Sequence, residues 1–352
     1  MAKLKWGVIG VGMISDAHIN TIRDYCDNTE LYAICDIDRA WVEFAKDKYG
    51  AKKAYIDYHD LISDPEIDVV SVTVPNNLHA KITIDALEAG KHVLCEKPMA
   101  PTAAQGRLMA QAAKKTGKRL MIGQNQRFCR PAQYMKRLYD EGRFGDVYHI
   151  RTGWIRPLGM MPSVEDKRSN GATVNRNWYN DKSMDGGVLR DLGVHMIDLA
   201  MFITGFPKMT DAMASLYRKF EPDVSDDVKA KNSFTSEDMA SAIVKFDNGM
   251  SLDLEVSFGS PMAEEKIFTN IYGTRMGAER LDEELTLINC EDGISFTAEK
   301  ANIRETTRHF EHCVDEFANA IVNDKETPVT PESAIAVLEI LDRIYESSGF
   351  LK

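Results

Sequence analysis

Two stretches of the sequence carry residues that could move a proton. In CEKP (95–98), Lys97 follows an apolar run and precedes a proline. In DGGVLRDLGVHMID (185–198), Asp191 and His195 lie four residues apart, a spacing that places both side chains on one face of a helix. Histidine titrates near neutral pH, so His195 suits an acid/base role, and the carboxylate could orient it. Lys97 could stabilise negative charge on a forming carbonyl.

Each of these features also has an ordinary structural interpretation. A lysine after a strand is often a solvated surface group, and the acid and the histidine could form an exposed ion pair. Gly186 and Gly187 permit close backbone approach where the helix begins. Gly193 inside a helix costs about 1 kcal/mol relative to alanine, which indicates that something passes close to it. The proline of CEKP favours a fixed turn and could follow a cis bond.

The stretch GVIGVGMIS (7–15) is close to the dinucleotide fingerprint G-x-G-x-x-G, with Ser15 in place of the third glycine. It follows an apolar run and opens a helical pattern, as that motif requires. The glycines allow a tight turn and close approach to a pyrophosphate, and the helix N-terminus offers N–H groups to the anion. The predicted cofactor contacts in this loop are Gly10, Gly12, Met13 and Ile14.

Asp36 ends the second predicted strand, at about the 20-residue distance where an acidic residue bonds the ribose hydroxyls. A carboxylate there would repel a 2′-phosphate, so NAD is favoured over NADP, although Arg39 is close by. Asp36 could instead be a turn residue or a helix cap, and Asn76 or Asn77 could be a helix cap. Further predicted cofactor contacts follow the later strands: Pro75, Asn76, His79, Glu96, Lys97 and Asn125.

Strands alternate with helices up to about residue 125, which predicts a doubly wound parallel sheet. The predicted strands are 4–10, 31–36, 68–74, 92–98 and 118–123, and the helices are 13–26, 39–49, 78–90 and 101–116. Strands then follow one another with few helices, which predicts an antiparallel sheet. Its strands are 146–156, 209–217, 239–246, 250–258, 266–272, 285–290 and 293–297, and the helices are 131–141, 187–203, 305–323 and 331–348. We expect domains at 1–125 and 126–352.

Bulk properties exclude several classes of function. The 352 residues carry a net charge of −11, which argues against a nucleic-acid partner. No apolar run reaches membrane-spanning length and no signal peptide is recognisable, so no membrane role is expected. The six cysteines lack C-x-x-C spacing, which favours free thiols in the cytoplasm and argues against zinc. The pair His309 and His312 is interpreted as surface or packing residues, and no metal is predicted.

In this combination and order the chain resembles the Gfo/Idh/MocA family of oxidoreductases. The matching residues are GVGMIS, Asp36, VPNNLHA (74–80), CEKP, GQNQRF (123–128), DGGVLRDLGVHMID and YGTRMGAERL (272–281). The resemblance implies a Rossmann domain and a C-terminal α/β domain with a large, mostly antiparallel open sheet. The outer face of that sheet commonly builds dimers or tetramers, and the last helix (331–348) usually packs back on the first domain.

The resemblance further implies a catalytic trio of Lys97, Asp191 and His195. It implies hydride transfer between NAD and a ring hydroxyl of a sugar, inositol or sugar derivative. Two alternatives stay open: a glycosidase that retains NAD and oxidises its substrate transiently, and an NAD-binding regulator without catalysis.

The long polar stretch 157–185 and its flanks are where substrate specificity is expected. Aromatic faces suit a sugar ring, and arginines suit a carboxylate or phosphate, so the charge of the substrate stays open. Arg168 is interpreted as a solvated residue and Arg176 as a further candidate. The predicted substrate contacts are Lys97, Arg127, Trp154, Arg156, Trp178, Tyr179, Asp191 and His195.

Overall fold

The computed structural model of the protein describes residues 3–221, 234–291, 295–303 and 308–350. The chain divides into two compact units. The first comprises Met1–Asn125, Ser169–Ala172 and Arg308–Leu338, and the second comprises Gln126–Arg168, Thr173–Thr307 and Glu339–Lys352. Parts of two predicted elements, residues 293–294 and 305–307, lie outside the described residues.

Both units combine strands with helices. The strands are β1 Leu4–Ile9, β2 Thr29–Cys35, β3 Lys53–Tyr55, β4 Val69–Val72, β5 His92–Cys95, β6 Leu120–Ile122, β7 Val147–Pro157, β8 Glu165–Lys167, β9 Thr173–Asn175, β10 Met209–Tyr217, β11 Met239–Phe246, β12 Ser251–Ser260, β13 Lys266–Gly273, β14 Met276–Leu281, β15 Glu284–Glu291 and β16 Ser295–Lys300. The α-helices are α1 Met13–Asn20, α2 Arg39–Tyr49, α3 Tyr58–Ser63, α4 His79–Glu88, α5 Ala103–Thr116, α6 Arg130–Asp140, α7 Val194–Ile203, α8 His309–Val322 and α9 Pro331–Ser348.

The first unit holds a six-stranded parallel sheet in the order β3-β2-β1-β4-β5-β6. Its central strands are buried on both faces, as all four residues of β4 show, which explains their continuous apolar sequence. The strand order reverses between β1 and β4. In doubly wound sheets a ligand binds beyond the carboxyl ends of the strands at this reversal. The predicted doubly wound fold is confirmed.

Sequence periodicity did not predict β3 or α3. Both are short, and all three residues of β3 are half-buried, so neither offers a run of alternating or periodic apolar residues. Within the first unit, the start of α9 lies against α5, where Ile335 and Leu338 contact Gly106. The absence of a side chain at this glycine permits that contact.

The second unit holds an eight-stranded sheet in the order β10-β11-β12-β7-β13-β14-β15-β16. Every neighbouring pair is antiparallel except β12 and β7, which run parallel, so the predicted mostly antiparallel sheet is confirmed. In β11, Ala240, Ala242, Val244 and Phe246 are buried while the residues between them are exposed. This alternation is typical of a sheet with one solvated face. The turn predicted at 247–250 connects β11 to β12.

The outward face of this sheet exposes several large apolar side chains. Met213, Ile243, Tyr272 and Leu281 are among them. Directly paired residues run across the face in the register Met213, Ile243, Asp253, Arg151, Asn270 and Glu279. The opposite face is covered in part by α7, which contacts β7 and β12.

The long stretch 157–185 is more ordered than its sequence indicates. It forms the short hairpin of β8 and β9 and several single turns of 3₁₀-helix, including Asn177–Asn180. In the described part of the chain, no helix has the length and hydropathy needed to cross a bilayer. All six cysteines are free, as predicted, and all but Cys290 are buried.

Candidate active site

The glycine loop after β1 has the geometry that its sequence predicts. Gly10 adopts a φ of +91°, and its N–H donates to the carbonyl of Cys35 at 2.8 Å. A Cβ built on Gly10 would lie 2.6 Å from the carbonyl oxygen of Thr73, whereas one built on Gly12 would meet no described atom within 4 Å. Gly12 is the N-cap of α1 and supplies no side-chain cap to the helix. Met13 and Ile14, the first residues of α1, are exposed there.

Asp36 joins this loop to the end of β2. Its Oδ2 accepts the N–H of Val11 at 3.0 Å, and its Oδ1 accepts the N–H of Asp38 at 3.0 Å. Trp41 holds the loop from the other side, since its Nε1 donates to the carbonyl of Val11 at 2.6 Å. The carboxylate of Asp36 is half-buried and lies beside the glycine loop, where a ribose would lie in a Rossmann domain.

Three of the predicted cofactor residues are buried. Asn76 forms part of the 3₁₀ turn Asn76–Leu78 that follows Pro75, and it is 6% exposed. The ring nitrogens of His79 lie 2.7 Å from the carbonyl oxygen of Pro98 and 2.9 Å from that of Val74. Burial lowers the pKa of His79. These contacts favour a structural role for His79, and its direct contact with a cofactor stays a prediction.

Glu96 is likewise buried, and it pairs with a histidine that sequence reasoning passed over. Its Oε1 lies 2.8 Å from Nε2 of His18, and its Oε2 accepts the N–H of Lys97 at 3.2 Å. Nδ1 of His18 lies 3.1 Å from the hydroxyl of Ser71, which in turn accepts Nε1–H of Trp6 at 2.9 Å. Burial opposes ionisation of Glu96, but the hydrogen bond and charge of His18, with the charge of Lys97, lower its pKa.

Because Glu96 is held by His18 and accepts the N–H of Lys97, the His18–Glu96 pair fixes the backbone at Lys97. The available sequence signal was a lone histidine on the buried face of α1 combined with an acidic residue that ends an apolar strand. Lys97 itself is half-buried, and its peptide bond to Pro98 is cis, as the sequence allowed.

Two amide side chains follow β6 at the same edge of the parallel sheet. Among the described residues, no hydrogen-bond partner reaches Oε1 of Gln124 or Oδ1 of Asn125, although both atoms are buried. Buried polar groups are nearly always satisfied, so these oxygens fit a ligand that supplies donors. Together with the open space at Gly12, they show that this edge of the sheet fits a dinucleotide.

In the second unit, Asp191 and His195 lie on one helical segment with a change of winding between them. A π-helical turn, Leu189–Gly193, leads into α7, whereas the sequence predicts one helix over 187–203. Such π turns are frequent at functional sites. Asp191 is half-buried, and His195 is 8% exposed with its ring 6.1 Å from that of Trp154.

The π turn is anchored by a buried glutamate. Leu189 donates its N–H to Oε1 of Glu237 at 3.1 Å, and the hydroxyl of Tyr345 donates to the same oxygen at 2.7 Å. A Cβ on Gly187, which has a φ of +111°, would lie 2.3 Å from that oxygen. A Cβ on Gly186 would lie 2.2 Å from the carbonyl oxygen of Trp178. Both glycines are therefore required by close approach, as their sequence indicates.

The contact expected near Gly193 is internal to the fold. A Cβ there would lie 3.1 Å from a methyl of Leu189 and 3.6 Å from one of Val256 in β12. The glycine thus lets the helix approach the sheet.

Arg127, a predicted substrate contact, is held by a carboxylate. Its Nε and Nη2 donate to the two carboxylate oxygens of Asp198 at 2.8 and 2.6 Å, and both side chains are almost fully buried. The rings of Phe202 and Phe206 flank the guanidinium. Burial raises the pKa of Asp198, and the charge of Arg127 opposes that rise. The pair fixes α7, and a substrate contact for Arg127 stays a prediction.

The other predicted substrate residues lie in half-buried positions. The rings of Trp178 and Tyr179 stack with centroids 3.6 Å apart, and Arg176 lies over Tyr179. Trp154 and Arg156 both contact Glu265, a residue that sequence analysis did not identify. In the described ranges, no cluster of three or more His, Cys, Asp or Glu side chains could hold a metal ion.

Two family models match most of the chain. The family model described as "Oxidoreductase family, NAD-binding Rossmann fold" matches residues 4–124, and the "GFO/IDH/MocA C-terminal domain" matches residues 132–279. D-glucoside 3-dehydrogenase of Escherichia coli (strain K12) is 28% identical over 352 residues, covering 98% of this chain and 95% of that protein.

Two further similarities extend this picture. Inositol 2-dehydrogenase of Salmonella typhimurium is 40% identical over 144 residues, which are 40% of this chain and 43% of that protein. The structure of a levoglucosan dehydrogenase in complex with NADH superposes with a TM-score of 0.84 at 23% identity, covering 99% of this chain and 97% of that one. At this identity the likeness shows the fold alone.

Proposed function

Because the chain belongs to the Gfo/Idh/MocA family and is an NAD-binding oxidoreductase of the sugar and inositol dehydrogenase type, we propose that it oxidises a ring secondary alcohol of a sugar, inositol or sugar derivative. The observation that carries this proposal is the placement of His195. It lies beside the Trp154 ring, on the helical segment that also bears Asp191. A proton acceptor beside an aromatic ring suits a cyclic polyol.

Each member of the trio has a distinct role in this proposal. His195 takes the proton of the substrate hydroxyl, and Asp191 orients the imidazole and stabilises its charged form. Lys97 stabilises the negative charge that develops on the substrate oxygen. When bound, NAD⁺ supplies the hydride acceptor. The π turn and its Glu237 anchor keep the helix in register, so that the acid/base is positioned before substrate arrives.

NAD would be held by the edge of the parallel sheet at which β1, β4 and β6 end. Gly10 and Gly12 admit the pyrophosphate, with Met13 and Ile14 at the helix N-terminus. Asp36 accepts hydrogen bonds from the ribose and repels a 2′-phosphate, which favours NAD over NADP. The unsatisfied oxygens of Gln124 and Asn125 supply acceptors for donors of the cofactor. Asp36→Ala should therefore reduce the ratio of NAD to NADP efficiency, and a native preference for NADP would contradict this role.

The direct test is a substrate screen with purified protein and NAD⁺, followed by absorbance of NADH. The panel comprises inositols, free sugars, glycosides, sugar phosphates and uronates. Net accumulation of NADH supports a dehydrogenase. Cleavage of a glycoside without net NADH supports the glycosidase alternative instead and would overturn the proposal.

Substitutions at His195 and Lys97 test catalysis separately from cofactor binding. His195→Ala and Lys97→Ala should each lower kcat by at least about a hundredfold, the scale of general acid–base catalysis, while NADH still binds. His59→Ala is the matched control, because His59 lies on the surface of the first unit with its side chain 56% exposed. If both site variants kept full turnover, these residues would not be the catalytic groups. If the wild type bound NADH but turned over no member of the panel, the regulator alternative would be favoured.

We propose further that the protein forms a homodimer or homotetramer through the eight-stranded sheet. Its outward face exposes Met213 by 71% and Ile243 by 48%, which are directly paired on β10 and β11, and Leu281 by 50% on β14. Exposed apolar side chains that lie together mark interaction surfaces. Light scattering should give two or four subunits, and Ile243→Lys should shift the mass toward one. A monomeric native protein would contradict this assembly.

The free thiols lead us to propose that the protein resides in a reducing compartment, the cytoplasm.

A further inference from the structure

One carboxylate organises the strand end beside His195. Oε1 of Glu265 accepts Nε1–H of Trp154 at 2.7 Å and Nε–H of Arg156 at 3.2 Å. The guanidinium carbon of Arg156 lies 4.9 Å from the centroid of the Trp154 ring. Trp154 and Arg156 are two residues apart on β7 and share a face, and Glu265 immediately precedes β13, which pairs with β7. The three side chains therefore form one cluster, which we call the Trp154 cluster.

The Trp154 cluster borders the proposed acid/base. The Trp154 ring lies 6.1 Å from that of His195. The side chains of Arg156 and Glu265 are 22% and 32% exposed, so the pair is partly shielded but remains accessible to a bound molecule. A cyclic substrate that presents its hydroxyl to His195 would meet the Trp154 ring, and its substituents would meet the charges of Arg156 and Glu265.

Glu265 determines whether the charge of Arg156 is available to bind an anionic substituent of the substrate. A free arginine beside a sugar site recruits a carboxylate or phosphate, because its planar fork matches these anions. Here Nε of Arg156 is already bonded to a carboxylate, so the positive charge is compensated. An anionic substituent would therefore have to displace Glu265 from the guanidinium before Arg156 could bind it. Nε1–H of Trp154 is likewise committed, and Arg156 lies over its ring, so an uncharged substrate ring would contact the part of the Trp154 ring that Arg156 does not cover.

We propose that Glu265 is a specificity-determining residue that makes this protein select a neutral ring polyol over its carboxylated or phosphorylated counterpart. This inference rests on the proposed function, because it assumes that the substrate reacts at His195. Glu265 acts through Arg156 and Trp154, so it is a positioning residue. An arginine at position 156, considered by residue type alone, does not indicate whether the substrate is neutral or anionic.

Matched substrates test the inference. Methyl glucoside and methyl glucuronide, and glucose and glucuronate, differ in charge while keeping the ring. In the wild type, kcat/KM should favour the neutral member of each pair. Glu265→Gln keeps the shape and an acceptor for Trp154 but removes the charge. It should shift selectivity toward the uronate by about tenfold, equal to about 1.4 kcal/mol, and the shift should appear mainly in KM.

The double variant Glu265→Gln/Arg156→Gln supplies the matched control. If the uncompensated arginine attracts the uronate, removing it should reverse the gain. A loss of packing would lower kcat/KM for both members of a pair alike, and that result would overturn the proposal. So would a wild type that prefers the uronate, or a gain that persists in the double variant.

Equilibrium binding separates this inference from the proposed reaction. The same pairs are titrated by calorimetry into wild type and variants saturated with NADH. If the protein binds the neutral member of each pair more tightly but turns over neither, the role of Glu265 is supported and the proposed dehydrogenase activity is contradicted. Turnover of neutral and anionic members with equal efficiency supports the dehydrogenase while contradicting the role of Glu265. Binding of neither member would overturn the inference, and the wider substrate screen would still test the reaction.

Discussion

Alanine substitution should destabilise the protein at Gly10 but leave its stability almost unchanged at Gly12, and it should weaken cofactor binding at both positions. Gly10 has a φ of +91°, and a Cβ there would lie 2.6 Å from the carbonyl oxygen of Thr73. That oxygen belongs to the backbone at the end of β4, which cannot rotate away as a side chain could. The left-handed conformation costs about 1–2 kcal/mol and the steric overlap about 1–3 kcal/mol. Gly10→Ala should therefore destabilise the protein by about 2–5 kcal/mol.

Gly12 differs in both respects. Its φ of −95° is accessible to alanine, and a Cβ would meet no described atom within 4 Å. Gly12→Ala should change stability by no more than about 0.5 kcal/mol. The space in front of Gly12 is the space that we assign to the pyrophosphate, so the added methyl should weaken NADH binding by at least about tenfold. Gly10→Ala should weaken it too, because the loop must shift.

Two measurements on both variants decide the matter. Thermal unfolding should show a Tm lowered by roughly 5–15 °C for Gly10→Ala and close to the wild type for Gly12→Ala. Fluorescence titration with NADH should show weakened binding in both. If Gly12→Ala bound NADH as tightly as the wild type, the cofactor would not occupy this space and the assignment would be wrong.

Three further predictions concern buried contacts. Asp198→Asn removes the buried carboxylate that pairs with Arg127, so urea denaturation should show a loss of about 3–5 kcal/mol; a loss below about 1 kcal/mol would mean that the pair is solvated. Gly187→Ala places a Cβ 2.3 Å from a buried carboxylate oxygen and should lower both stability and kcat, whereas Gly249→Ala, at a φ of +83° with open space around it, should cost stability alone. Although burial opposes ionisation of Asp64, hydrogen bonds from a lysine, a backbone N–H and a tyrosine lower its pKa from 3.8 to about 2. Its stabilisation, about 2 kcal/mol, is present above pH 4 and is lost as pH falls toward 2, so Asp64→Asn and the wild type should converge in that window.

For elements with a strong periodic pattern, the sequence predicted the first and last residues correctly. The predicted bounds of α9, β10 and β11 agree with those of the structure. In β11 the alternation of buried and exposed residues is unbroken, and α9 begins at a proline, which favours the first turn of a helix. The strand β14 was recognised as part of the sheet only through the resemblance of YGTRMGAERL.

What the sequence could not reveal depends on residues far apart in the chain. The π turn at Leu189–Gly193 leaves the helical apolar pattern intact, so periodicity predicts one continuous helix. Glu265 meets Trp154 and Arg156 across 111 and 109 residues, and His18 meets Glu96 across 78. No local pattern identifies such pairs, because each partner alone is typical of a surface charge or a packed histidine.

The second unit separates the residues that position the acid/base from those that would choose the substrate. Gly187, Glu237 and Tyr345 anchor the π turn through buried contacts, and Glu237 and Tyr345 are almost inaccessible to solvent. Trp154 and Arg156 lie instead at the end of β7, half-buried, and Glu265 lies in the loop before β13. Substitutions in the first group disturb packing, so they should lower stability and activity together. Substitutions in the second change charge and shape at a strand end, so substrate preference can change while the proton-transfer helix keeps its position.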